Sequence, residues 1–368
     1  MRIAAKLKRF PRLYYSYMET KMYLAEVKSL RKEAVEKFAE EKPEHGSMTN
    51  YKWALYRHVV SYGEFIHCYR FWNKNKKQQK EYASEYEMRC IYRKTVQVSV
   101  GRMSLNKILT IRHFENHISR KWIYPKEVSY ESFESFMNAT DCIVKPIIGT
   151  FGEGIFLVEK NSGKDLQELY ALCCEKKLYV EERIKEHSEL EAFHPQSLNT
   201  IRIFTISNDN LCKLVAAELR VGVGNSVVDN VSAGGIFAPI DLASGTIIGD
   251  GSNKYGNTYK SHPDTGKVFN GFVIPFWEKI IDTCKTLSAT VTGITFAGWD
   301  VCVLPSGEIE IIEMNSYPNV TGLQTAYNKG LKPEIRAIGK EVLGYDPTKL
   351  IPVWSKSHVK YDKAYGMC

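Results

Sequence analysis

The chain has 368 residues, 44% of them apolar and 25% charged, with a formal net charge of +8. That is the make-up of an ordinary globular protein of two or three structural units, and no run approaches the roughly 20 apolar residues of a membrane-spanning helix. The nine cysteines include no Cys-x-x-Cys pair, which speaks against a zinc ribbon or a thioredoxin-like site, while the basic balance favours anionic partners: nucleotides, nucleotide sugars, nucleic acid or a membrane surface.

Residues 1–98 read as helical. A long helix is expected over 18–41 and a second over 51–73, the latter with an aromatic stripe (Trp53, Tyr56, Phe65, Tyr69, Trp72) that reads first as core packing. At the extreme N-terminus Arg2, Lys6, Lys8, Arg9 and Arg12 interleave with Phe10, Tyr14 and Tyr15. Such a segment suits peripheral contact with an anionic membrane, or equally a solvated helix start or an oligomer contact. No apolar run with a cleavage site follows it, so the chain reads as cytoplasmic. From about 100 the texture changes. Strands are expected at 142–146, 155–159, 178–182, 200–207, 212–221, 294–303 and 309–314, and helices at 105–115, 129–140, 164–176 and 273–289. The mixture predicts an α+β protein with its sheets covered by helices on one side. The tail after about 345 is polar and aromatic without periodicity.

Two segments carry most of the chemistry. In residues 143–155 (IVKPIIGTFGEGI) Lys145 ends a short apolar strand, and Gly149, Gly152 and Gly154 let backbone N–H groups approach phosphate oxygens. The spacing is neither a Walker A motif nor a dinucleotide fingerprint, and a strand follows, so the segment reads as a hairpin lid. A plain glycine hairpin has the same pattern. In residues 298–315 a tight turn at Ser306 and Gly307 predicts a hairpin. A two-residue loop would place Asp300 opposite Glu313, with Asn315 on the same face. Facing carboxylates repel, so the arrangement makes sense with a divalent cation between them, and oxygen-only ligands suit Mg²⁺ beside phosphates. A phosphate loop with a cation and a hard-metal site together point to Mg-ATP.

Weaker signals follow. Residues 179–184 (YVEERI) form a strand ending in Glu181 and Glu182, able to hinge against an adenine ring, although solvated acids at a strand end look the same. Asn199 and Arg202 share a strand-like run, where an arginine can clamp a phosphate or carboxylate in a fork or simply form a structural ion pair. Arg220, Asn230, Gly234 and Gly235 suggest a loop closing over a polar substrate; a plain loop is the alternative.

The order of these features resembles the ATP-grasp superfamily, and more finely its sugar-transfer-associated group. The resemblance is carried by 194–202 (HPQSLNTIR), 229–235 (DNVSAGG) and 313–319 (EMNSYPN), and spans about residues 100–335. It implies an ATP-grasp fold, two α+β subdomains gripping ATP, with a helical extension at 1–98, a catalytic domain at 99–340 whose lid subdomain covers about 140–185, and a tail at 341–368. It also implies that Lys145 contacts the α/β-phosphates and that Lys107 is the first nucleotide-contacting lysine. Glu181 and Ile184 would meet the adenine, with Glu182 and Asn199 nearby. Asp300, Glu313 and Asn315 would hold Mg²⁺, and Arg202 the transferring phosphoryl group. Two departures are visible. Members of the superfamily commonly carry an arginine two residues before the metal aspartate; here that position is Gly298, with Arg202 or Arg220 as substitutes. The link between hinge and strand is long, so Glu189 and Glu191 are both candidates for the ribose.

The resemblance implies an ADP-forming carboxylate–amine ligase acting through an acyl phosphate, with ATP and Mg²⁺. It would join an amino acid to a sugar acid, free or nucleotide-linked, in cell-surface polysaccharide synthesis, with no nucleic-acid partner. The rivals are a phosphotransferase on a sugar or polyol hydroxyl, and a basic scaffold binding nucleic acid or membrane.

Overall fold

The computed structural model describes residues 74–350, apart from 84, 150, 151, 153, 231–233 and 255. The helices expected at 18–41 and 51–73, the basic N-terminal segment and residues 351–368 lie outside the described residues. Among the described residues no helix is long and apolar enough to cross a membrane.

Two antiparallel sheets organise the chain. The smaller, in the order β1-β4-β2-β3, contains β1 (Trp122–Ile123), β2 (Cys142–Pro146), β3 (Phe156–Val158) and β4 (Leu178–Glu182). Strand alternation sends Cys142, Val144, Leu178 and Val180 to one face, where they pack on Phe133 and Met137 of the helix Tyr130–Ala139 and on Leu169 and Cys173 of the helix Leu166–Lys176. Ser129 and Asp165 cap these helices by accepting first-turn N–H groups. Lys145 and Glu181 are left on the other face.

The larger sheet runs β11-β10-β5-β6-β7-β8-β9: β5 (Ile201–Ser207), β6 (Cys212–Val221), β7 (Ile236–Ile240), β8 (Gly251–Ser252), β9 (Thr258–Tyr259), β10 (Phe296–Val303) and β11 (Ile309–Asn315). One face packs Ile203, Leu219, Trp299 and Val301 against Ile280, Cys284 and Leu287 of the helix Trp277–Thr290. Trp299 is fully buried and its indole N–H donates to Thr205 Oγ1 at 3.0 Å, so Trp299→Ala would cost about 3–5 kcal/mol. On the opposite face Phe204, Ile206, Ala216 and Phe296 lie under Met88, Ile91 and Tyr92 of the helix Glu85–Thr95 and under Ile335 and Val342 of the helix Lys332–Leu343. The larger sheet is thus helix-covered on both faces, not on one as the sequence suggested. The second cover stops partway along the strands, leaving Arg202, Arg220 and Asp300 beside a cavity.

Two local differences have physical causes. The expected helix at 105–115 is the shorter Lys107–His113, and a separate helix, Val98–Leu105, precedes it. Asn106 breaks them with extended backbone, and its side chain accepts the N–H groups of Ile108 and Leu109. The same residue bridges to Ile148, and Lys107 N–H donates to Ile147 O at 2.9 Å, which seats Lys107 beside the lysine loop.

The hairpin turn differs too. Leu304 N–H donates to Glu308 O at 2.8 Å and Gly307 sits at φ +80°, so three residues, Pro305 to Gly307, make the turn. Val301 pairs with Ile311 while Asp300 pairs with Glu313, leaving Ile312 as a bulge. The longer turn and the bulge cancel, and the expected pairing of Asp300 with Glu313 holds.

Candidate active site between the two sheets

A cavity of about 820 Å³ lies between the inner face of the smaller sheet and the uncovered part of the larger one. Lys145, Lys107, Arg202 and Arg220 line it, as do Asp300, Glu313 and Asn315. The turn after β2 closes one side: at Gly152 (φ +74°) a Cβ would stand 3.3 Å from Asn230 Nδ2 and 3.4 Å from Val228 Cγ2, so this turn meets the loop following β6.

Lys145 is ion-paired to Glu181, its diagonal neighbour across β2 and β4 on the inner face; its direct partner in the register is Tyr179. Glu181 is buried and also accepts from Arg120 Nε at 2.8 Å and Tyr179 Oη at 3.1 Å. Burial alone would raise its carboxyl, but Arg120 and Lys145 outweigh it and hold the pKa at about 2. Arg120 reaches the larger sheet as well, donating through Nη1 to Glu310 Oε1 at 2.7 Å and to Ile311 O at 2.9 Å. One guanidinium therefore ties β4, through Glu181, to β11. Sequence reasoning missed Arg120, whose partners are 61 and 190 positions away. Lys107 Nζ donates to Gly149 O at 2.8 Å, and burial lowers its pKa.

On the larger sheet Arg202 and Asp300 are cross-strand partners, and the guanidinium grips both carboxylate oxygens. Arg220 Nη1 lies 3.8 Å from Asp300, while Arg220 Nε donates to buried Glu218 at 2.8 Å. Burial would raise the Asp300 carboxyl; Arg202 and Arg220 bring it below the ordinary range. Gly298 explains its own departure from the expected arginine. A Cβ there would stand 2.8 Å from Pro318 Cβ and 3.4 Å from Arg202 Cδ, so Pro318 occupies the space a side chain would need, with the Arg202 stem at its edge.

The bulge turns both Ile312 and Glu313 to the cavity. Burial raises the Glu313 carboxyl, with Lys107 opposing. Asn315 Nδ2 is buried without a hydrogen-bond partner. Asp300, Glu313 and Asn315 therefore offer an oxygen-donor set of two carboxylates and one amide, which suits a hard cation such as Mg²⁺. Among the described residues no group of three or more His, Cys, Asp or Glu gathers as an alternative metal site.

The remaining expected residues divide. Gly149, Gly152, Glu182, Ile184, Glu191 and Asn230 line the cavity. Five others do not. Gly154 is exposed, turned at φ +73° against Pro146. Asn199 is fully buried, its amide holding Glu186 Oε1 at 2.7 Å and the carbonyls of Leu190 and His194. Glu189 is exposed in the first turn of the helix Ser188–Glu191, which leaves Glu191 as the cavity carboxylate of that pair. Gly234 is exposed, and Gly235 packs so tightly that a Cβ would meet Asp229 O at 2.4 Å; both shape the loop. Glu181 lines the cavity, but its carboxylate is committed to Lys145 and Arg120.

Three cavity carboxyls, Asp141, Glu186 and Asp229, were not among the expected site residues. Burial pushes Glu186 up to about 9, and its Oε2 has no partner. Asp229 Oδ2 accepts both from Thr200 N–H, at 3.0 Å, and from the Thr200 hydroxyl; burial raises this carboxyl, against Thr200 and Arg220.

Residues 77–340 match the family model described as sugar-transfer associated ATP-grasp. Among solved structures, the ADP complex of purK, an N5-carboxyaminoimidazole ribonucleotide synthetase, is 13% identical over 60% of this chain and 47% of its own, with a TM-score of 0.39. The L-amino acid ligase from Bacillus licheniformis is 12% identical over 68% of this chain and 47% of its own, TM-score 0.37. The D-alanine-D-alanine ligase from Coxiella burnetii is 13% identical over 72% and 59%, TM-score 0.35. The chain thus spans between 47% and 59% of the length of these structures. No curated protein matches it.

Proposed function

The chain belongs to the sugar-transfer associated ATP-grasp family, and from that premise we propose that it is an ADP-forming carboxylate–amine ligase. The observation that supports this most is the cavity's charge pattern. Lys107, Lys145, Arg202 and Arg220 gather around the oxygen donors Asp300, Glu313 and Asn315, as an activated carboxylate and a polyphosphate require.

Lys145 and Lys107 bind the polyphosphate, and Glu181 with Arg120 fixes where Lys145 stands. The backbone of residues 182–184 reads the adenine edge and Glu191 the ribose. Mg²⁺ held by Asp300, Glu313 and Asn315 would offset charge between the β- and γ-phosphates. Arg202 and Arg220 orient the acid so that a carboxylate oxygen attacks the γ-phosphorus and ADP leaves; an amine then displaces phosphate from the acyl carbon. The turn at Gly152, closed on Val228 and Asn230, keeps water from the acyl phosphate. The family's association with sugar transfer supports a sugar acid, free or nucleotide-linked, and an amino acid as substrates, in cell-surface polysaccharide assembly.

Phosphorus NMR of the full chain with Mg-ATP, amino acids and uronic acids tests the reading, with Asp300→Ala alongside. ADP and equimolar free phosphate, formed only when acid and amine are both present and absent in the variant, is the expected result. ADP with a new phosphoester signal and no free phosphate would make it a kinase and overturn the ligase reading.

A further inference from the structure

Resting on that ligase reading, we propose that Asp229 marks the acceptor-amine subsite: its free carboxylate oxygen binds the incoming ammonium group and takes the proton that must leave before nitrogen can attack. An amino acid arrives protonated at neutral pH, so the ligase needs a base in the cavity that is not already committed.

Among the described lining residues there is no histidine and no cysteine. The carboxylates fall into groups. Glu181 is bound to Lys145 and Arg120, and Asp300 to Arg202. Glu313 belongs to the candidate ion site. Glu186 is buried, with Oε1 held by the backbone and side chain of Asn199 and Oε2 enclosed out of reach of an incoming amine, whereas Asp229 is only partly buried. Asp141, Glu182 and Glu191 belong to the smaller sheet and the segment leading from it, where the nucleoside is placed, and Asp141 and Glu182 already accept the N–H groups of Lys160 and Lys121. Asp229 is left. It pairs with no lysine or arginine among the described residues and hydrogen-bonds none of the candidate ion ligands.

Its position fits the task. Thr200 holds Oδ2 with two donors and so fixes the carboxylate. Thr200 precedes Arg202 by two positions, which puts it on the same face of the sheet, about 7 Å along the strand. Arg220 N–H donates to Thr200 O at 2.8 Å, which keeps that face in register. Asp229 therefore stands one step from the two arginines that would hold the acyl phosphate. In the step itself the ammonium gives one proton to the free oxygen of Asp229. The nitrogen lone pair then forms the C–N bond, the C–O bond to phosphate breaks, and phosphate leaves with that electron pair. The second N–H proton goes to the departing phosphate, and Asp229 returns its proton to solvent when product leaves.

Hydroxylamine separates the two halves of the reaction, because it is uncharged at neutral pH and attacks an acyl phosphate without a base. Wild type, Asp229→Asn and Asp229→Glu are compared with Mg-ATP and uronic acids, free and nucleotide-linked, offered either hydroxylamine or a mixture of amino acids. Asparagine still offers Thr200 an acceptor, so thermal melting should match wild type. The expected result is hydroxamate formation by Asp229→Asn within about threefold of wild type, amide formation lower by about 10²- to 10⁴-fold, and partial recovery of amide in Asp229→Glu. Equal loss of hydroxamate and amide, or retention of both, overturns the role of Asp229 while leaving the ligase reading intact. A wild type that releases no ADP and forms no hydroxamate overturns the ligase reading, and this proposal with it.

Discussion

Arg202 and Asp300 face each other across β5 and β10, with both carboxylate oxygens of Asp300 held by one guanidinium. A carboxylate offered as an ion ligand is thus already paired, and any ion sharing it does so beside a fixed positive charge. Asp300→Ala should remove a proposed ion ligand and leave Arg202 buried without its hydrogen-bonded carboxylate. Urea denaturation should show a loss of about 3 kcal/mol, and ADP release should fall at least about 100-fold. Asp300→Asn should lose the activity and keep more of the stability.

Gly298 has no room to be anything else. Gly298→Ala should push on Pro318 and the Arg202 stem, costing about 1–3 kcal/mol as overpacking. Pro318 must move, and because Arg202 Cδ lies at the edge of the same contact, kcat should fall more than ATP affinity does; steady-state kinetics on the purified variant check this.

Glu181 contributes stability with a defined pH window. Its folded pKa is depressed from 4.5 to about 2, so the contribution, roughly 3 kcal/mol, is present above pH 4.5 and lost as pH falls towards 2. Glu181→Gln should be less stable than wild type near pH 7, and the gap should close across that window in a series of denaturation curves. The variant should also bind Mg-ATP more weakly, since Lys145 loses its anchor.

Glu186 works in the opposite sense. Burial raises its folded pKa from 4.5 to about 9, so the folded state holds a proton the unfolded chain has released, and stability falls as pH rises between those values. Glu186→Gln keeps an oxygen for Asn199 and places an amide where Oε2 now lacks a partner. It should gain stability relative to wild type as pH rises from 5 to 9.

Much of this was legible because it is local. Strands at 142–146, 178–182 and 212–221 were readable to the residue from apolar runs and their boundaries. The pairing of Asp300 with Glu313 followed from counting back from a turn, although that turn is one residue longer than a count of two. What was not legible depends on distance in sequence. Arg120 has no motif around it and meets Glu181 and Glu310 only after both sheets form. Asn199 sits in a polar run beside Arg202, but its role is decided by Glu186 and the carbonyls of residues 190 and 194, which close a buried pocket around it. Periodicity could not choose between Glu189 and Glu191, because a four-residue helix has too few turns to define a face.

The bulge at Ile312 settles a choice between two hairpins open to the same sequence. A two-residue turn without a bulge would also set Asp300 opposite Glu313, but every side chain from 309 to 312 would change faces. Ile311 would leave the apolar core beside Trp299, and Glu310 would enter it. In the hairpin that forms, Glu310 meets Ser119 and Arg120 instead. Arg120 thus discriminates against the slipped strand, and a charge 190 positions away in sequence proofreads the alignment of Glu313 and Asn315, two of the proposed ion ligands.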